Sequence, residues 1–166
     1  MKLRLLLHSQ CNRSCEGCCN KDWDLKNLPI VTSYKGYEKI LITGGEPLLT
    51  PSLLFLTIES IQEENPSAKI YLYTANVARA DLIFAFLAIL DGVTVTLHEQ
   101  QDVFDFVKLN DLLLGQGIIN KSLRLNVFKG INISYGNLSL WKVKNDIEWI
   151  KDCPLPRDEV FMRLPK

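Results

Sequence analysis

The chain has 166 residues, 47% of them hydrophobic and 23% charged, which suits a globular protein built as a single domain over 1–166. Nineteen Lys and Arg balance nineteen Asp and Glu, so charge argues against a nucleic-acid surface or an anionic membrane as partner. No apolar stretch reaches the roughly 18 uncharged residues of a membrane span, and the opening MKLRLLLHSQC is too short for a signal peptide and reads as a strand.

Residues 2–8 (KLRLLLH) are the first expected strand, followed by a cysteine loop and an irregular connection over 25–35 that Pro29 interrupts. Residues 38–43 (EKILIT) form the second strand, ending at Gly44-Gly45. Thr50-Pro51 has the form of an N-cap followed by proline at the first helical position, and Leu53, Leu54, Ile58 and Ile61 recur at helical spacing until Asn65-Pro66. A third strand is expected at 69–74, a buried helix at 79–90, a fourth strand at 93–98, a helix at 102–114 and a fifth strand at 122–128. Residues 138–143 read as a sixth strand, 146–151 as a short helix and 160–164 as a final strand or tail. Strands alternating with helices predict an α/β fold with parallel strands, and five to six β/α units predict an open partial barrel rather than a closed one.

Five cysteines is an odd number, and Cys11, Cys15 and Cys18 are packed within QCNRSCEGCC at C-x3-C-x2-C spacing. That is the arrangement of a metal site in a reducing cytoplasm rather than of a secreted disulfide framework. A cubane 4Fe–4S cluster takes one thiolate per iron, so three thiols on one loop can hold three irons and leave the fourth open. The same thiols could instead belong to a structural zinc site, with a fourth ligand from Cys19, His8, His98 or Cys153. Cys153 reads as a packing residue, and Cys19, adjacent to Cys18, points elsewhere than the loop's ligands. His8 is expected to pack or orient rather than to ligate. Downstream, Gly44-Gly45-Glu46-Pro47 makes a turn after the second strand, where open α/β sheets bind ligands. Glycines allow close backbone approach and unusual torsions there, Pro47 rigidifies the exit, and the Glu46 carboxylate can accept hydrogen bonds from an ammonium.

Cys11, Cys15 and Cys18 together with Gly44–Pro47 resemble the two motifs of the radical S-adenosylmethionine (SAM) superfamily, in order and position, across nearly the whole chain. The resemblance implies one 4Fe–4S cluster held by the three cysteines and SAM held at the open iron, with Glu46 on its amine. It implies an external one-electron donor such as flavodoxin or ferredoxin, and reductive cleavage of SAM to methionine and a 5′-deoxyadenosyl radical that abstracts hydrogen from a substrate. Candidate SAM contacts at later strand ends are Thr74 and Asn76, then Thr96 and His98 near the ribose hydroxyls, then Asn126; Arg124 shares the face of Asn126. The radical step itself requires no general base, and no catalytic side chain is assigned. Where the family often carries an aromatic residue near the adenine, just before the third cysteine, this chain has Gly17, which implies adenine packing from elsewhere. Asn20, Asp22 and Trp23 resemble the run after the third cysteine of glycyl-radical-enzyme activases, which implies a protein substrate. ITGGEPLL and VFMRLPK resemble 7-carboxy-7-deazaguanine synthases, which implies a small-molecule substrate. A third reading is a non-catalytic iron–sulfur scaffold.

Overall fold

The computed structural model describes residues 1–117, 120–134 and 136–165. Seven strands form one parallel, unclosed sheet: β1 (Lys2–Leu6), β2 (Lys39–Thr43), β3 (Lys69–Thr74), β4 (Gly92–Leu97), β5 (Ser122–Phe128), β6 (Lys142–Ile147) and β7 (Glu159–Arg163). Their order is β6-β5-β4-β3-β2-β1-β7. Among the described residues three α-helices, α1 (Pro51–Glu64), α2 (Ala80–Leu87) and α3 (Asp102–Gly115), make the connections from β2 to β3, β3 to β4 and β4 to β5. The chain forms two compact units, Met1–Tyr71 with Trp149–Lys166, and Leu72–Glu148.

In the first unit, β1 pairs in parallel with both β2 and β7, Leu6 lying opposite Thr43 on one side and Arg163 on the other. Alternation decides the core: Leu3, Leu5, Ile40 and Ile42 are fully buried, as are Leu54, Ile58 and Ile61 on one face of α1. Each such side chain contributes about 1.5–3 kcal/mol by leaving water. A second apolar cluster forms around Leu6, Leu28 and Phe161, against which Trp23, Leu25 and Leu155 pack. Arg4 pairs with the buried Glu159 at 2.6 Å.

In the second unit, β4 and β5 run in register from Gly92 opposite Ser122 to Leu97 opposite Val127. Gly92 is required there, because an added Cβ would overlap the Ser122 carbonyl. Leu123, Leu125 and Val127 are buried with Val93, Val95 and Leu97. Phe106 of α3 meets Trp141 edge-on at 5.1 Å, and the Trp141 Nε1–H donates to Asn110 Oδ1 at 3.0 Å.

Two expectations shift. The sixth strand lies at Lys142–Ile147 rather than 138–143, and residues 146–151 form the end of that strand and a turn rather than a helix. The strand is an edge whose residues are exposed or half-buried, so no apolar periodicity marks it. Asp146 takes positive φ, which a helix excludes.

Candidate functional site

Cys11, Cys15 and Cys18 lie outside any disulfide, on the irregular segment between β1 and a single 3-10 turn, Cys19–Lys21. Cys11 is exposed and the other two are half-buried. The Arg13 N–H donates to Cys11 Sγ at 3.4 Å. The Lys21 ammonium closes the loop by donating to the carbonyls of Cys15 and Glu16.

The Gly44–Pro47 turn follows β2 as the cysteine loop follows β1, so adjacent parallel strands deliver both at their carboxyl ends. Backbone bonds then continue the pairing beyond the strands: Gly45 N–H donates to the His8 carbonyl at 2.7 Å and Glu46 N–H to the Gln10 carbonyl at 2.8 Å. The Asn20 side-chain amide, just past Cys18, donates to the Gly44 carbonyl at 2.8 Å. Both ends of the cysteine loop are therefore fastened to the turn.

This fastening explains the paired glycines. A Cβ on Gly44 would lie 2.7 Å from the His8 carbonyl oxygen, and one on Gly45 would overlap the Gln10 carbonyl. Neither adopts positive φ, so the expected unusual torsions are absent and close approach alone selects glycine. Glu46 is buried, and its carboxylate accepts the Leu48 N–H at 3.1 Å, capping the 3-10 turn Pro47–Leu49 that Pro47 opens.

The C-terminal segment covers this loop. Cys19 and Cys153 form a disulfide, where the sequence pointed to a fully reduced set and to Cys153 as plain packing. The Trp23 Nε1–H donates to the Cys153 carbonyl at 3.3 Å. Trp149 occupies the space in front of Gly17: a Cβ there would lie 2.7 Å from Trp149 Cβ and overlap its ring. An aromatic side chain thus stands at this point of the loop, supplied from the other end of the chain. No local signal in the sequence announces it, nor the disulfide, whose partners are 134 residues apart.

His8 sits where β1 enters the loop. Both ring nitrogens are buried without a hydrogen-bond partner. Burial lowers its pKa below 6.5, against the opposing pull of the Gln10 backbone, which does not reach hydrogen-bonding geometry, and of the Glu46 carboxylate.

The remaining candidates lie in the second unit. Thr74 and Asn76 are buried at the end of β3, where the Asn76 N–H donates to Thr74 Oγ1 at 3.0 Å, a local turn bond. Thr96 and Asn126 are opposite one another on β4 and β5, with Asn126 Nδ2 at 3.5 Å from Thr96 Oγ1. His98 stacks obliquely on Phe128 at 4.6 Å, and its backbone N–H donates to the buried Asp102 carboxylate at 2.9 Å. Asn126 and Thr96 thus share one half-buried face, and Arg124 lies further along it opposite Thr94.

Cys11, Cys15 and Cys18 are thiols outside the disulfide, the donor type an iron–sulfur group takes, and the other two cysteines are bonded to each other. Among the described residues no three His, Cys, Asp or Glu side chains are grouped to hold a metal ion. Two of the side chains available to complete a four-ligand zinc site, Cys19 and Cys153, are committed to the disulfide. No described helix is long and apolar enough to cross a membrane. Comparison with protein-family models gives no match, and no curated protein matches the sequence.

Proposed function

We propose that the chain is a radical SAM enzyme whose unclosed parallel sheet is a partial barrel. The observation that carries the reading is the fastening of the cysteine loop to the Gly44–Pro47 turn at both ends, through His8, Gln10 and Asn20. Two motifs that chance would leave independent are thereby one structural piece. Cys11, Cys15 and Cys18 would hold the cluster, and Glu46 with the Gly44–Pro47 backbone would hold the SAM amine. When bound and reduced by a flavodoxin or ferredoxin, the cluster would supply the electron that breaks the sulfonium bond to the 5′ carbon, leaving methionine and a hydrogen-abstracting radical. The chain's own residues bind, orient and exclude water. The compartment proposed is the cytoplasm, where Cys19 and Cys153 would spend part of their time reduced. The substrate is a protein glycine or a small molecule.

Anaerobic reconstitution with iron and sulfide, followed by dithionite and SAM, tests the reading. About four irons per chain and formation of 5′-deoxyadenosine are expected. A full cluster without 5′-deoxyadenosine would leave the scaffold reading, and zinc alone in anaerobically purified protein would remove both.

A further inference from the structure

We infer that a cavity of about 880 Å³ beside the cysteine loop, wholly within the first unit, binds a small organic anion: a carboxylate or phosphate monoester on an apolar body. The binding stands on the cavity's own walls; its role as the substrate class of the radical reaction rests on the function proposed above.

The first observation is a set of unsatisfied polar atoms. Both His8 nitrogens, Thr50 Oγ1 and Arg163 Nε are buried without a partner, and all three residues stand in this one wall. A buried polar atom left unpaired forfeits its hydration with nothing in return, so four in one place point to a partner that arrives with a ligand. Thr50 is at the N-cap position of α1 yet makes no capping bond, and its hydroxyl is left for something else.

The second observation is the charge. Arg163 and Lys26 both line the cavity, and Thr50 brings the positive end of the 14-residue helix α1. Asp24 also lines the cavity and accepts from the Asn27 amide at 2.7 Å, so the wall carries two basic groups and one carboxylate; the Glu46 carboxylate, outside the wall, accepts the Leu48 N–H. Arg163 Nη1 donates to the Leu164 carbonyl at 3.3 Å, which leaves the Nε side of the guanidinium to grip two oxygens at once. Its backbone is fixed by bonds from its N–H to the Pro29 carbonyl and from the Val31 N–H to its own carbonyl, both 2.9 Å.

The third observation is the remaining surface. Trp23, Leu25, Leu53 and Leu164 are apolar and complete the wall, and the volume matches a ligand far larger than an inorganic ion. Gln10 and Asn20, which fasten the loop to the turn, border the same space, so an occupant lies against the segment that carries the cysteines.

The chain has two histidines, which makes the ring protons of His8 and His98 a simple readout by proton NMR. The full chain, titrated with benzoate, phenyl phosphate and the neutral benzamide, should show saturable movement of the His8 signals with one or both anions, none with benzamide, and none at His98. Whichever anion binds tighter identifies the head group. Arg163→Gln should weaken binding about tenfold to a hundredfold, and Arg163→Lys, which keeps the charge but loses the fork, about tenfold. Thr50→Val, nearly the same shape, should weaken it severalfold. Equal response to benzamide and benzoate, no response at all, or binding indifferent to both Arg163 variants would overturn the inference. Repeating the titration on a variant with Cys11, Cys15 and Cys18 all changed to Ala separates the two readings. Anion binding that persists there while cluster loading is lost is expected. A reconstituted enzyme that makes 5′-deoxyadenosine but binds neither anion would refute the anion site alone.

Discussion

Changing Gly45 to Ala should disrupt the candidate site from the backbone outward. The added methyl would overlap the Gln10 carbonyl and lie 2.8 Å from the Ser9 carbonyl oxygen. These are backbone atoms, so no rotamer change relieves the contact, and the loop must move away from the turn. Overpacking of this kind costs about 1–3 kcal/mol. The displacement also breaks or stretches the Gly45-to-His8 and Glu46-to-Gln10 hydrogen bonds, each worth about 1 kcal/mol. The sum is about 3–5 kcal/mol, which at this chain length lowers the melting temperature by roughly 6–20 °C. Scanning calorimetry on anaerobically purified protein measures it. Gly115→Ala is the matched control: it ends α3, nothing lies within 4 Å of its added Cβ, and helix propensity should leave stability equal or up to about 1 kcal/mol higher. If Gly45→Ala melts within about 2 °C of the parent chain, the close fit between loop and turn is not what selects the glycine.

Gly17→Ala should cost about 1–3 kcal/mol through its collision with Trp149, and in the Trp149→Ala background, where the ring is gone and only the Cβ contact stays, the cost should shrink; a double-mutant cycle with coupling below about 0.5 kcal/mol would refute the contact. Cys153→Ser should lower stability by about 2–5 kcal/mol in oxidising buffer and not in thiol reductant, because the disulfide closes a separation of 134 residues; equal denaturant midpoints in both buffers would count against the pairing. His8 stays neutral in the folded chain below 6.5, where the unfolded chain takes up a proton. Stability is therefore full above about pH 6.5 and falls as pH drops towards the lowered folded pKa; urea midpoints between pH 8 and 5 should fall more steeply for the parent than for His8→Asn, and parallel profiles would refute this.

Much of this was legible in the residues. The apolar run LRLLL marks a strand buried on both faces, the alternation of KILIT and SLRLNVF marks strands with one face buried, and the Thr50-Pro51 start and the GQG end of helices are local signals. The edge strand Lys142–Ile147 escaped because KVKNDI buries nothing and hence carries no apolar code. The glycines of the turn were legible as glycines but for the wrong cause: sequence cannot say which backbone comes close, and here it is the cysteine loop itself. Trp149 over Gly17 and Cys19 bonded to Cys153 are contacts between distant segments, with no spacing rule to reveal them. Orphaned nitrogens on His8 become visible only when every neighbour is placed.

The register that sets Lys2 opposite Glu159 has a kinetic consequence. As the chain leaves the ribosome, β1 can pair with β2 early, but its other edge stays open until Glu159–Arg163 has been made. That edge is an apolar template of unpaired amides, the kind that recruits a second chain. Closure depends on contacts of very long sequence separation, which form slowly. Folding yield should therefore be decided by how soon β7 docks, and a chain truncated before Glu159 should accumulate as aggregate even though every residue of the cysteine loop is present.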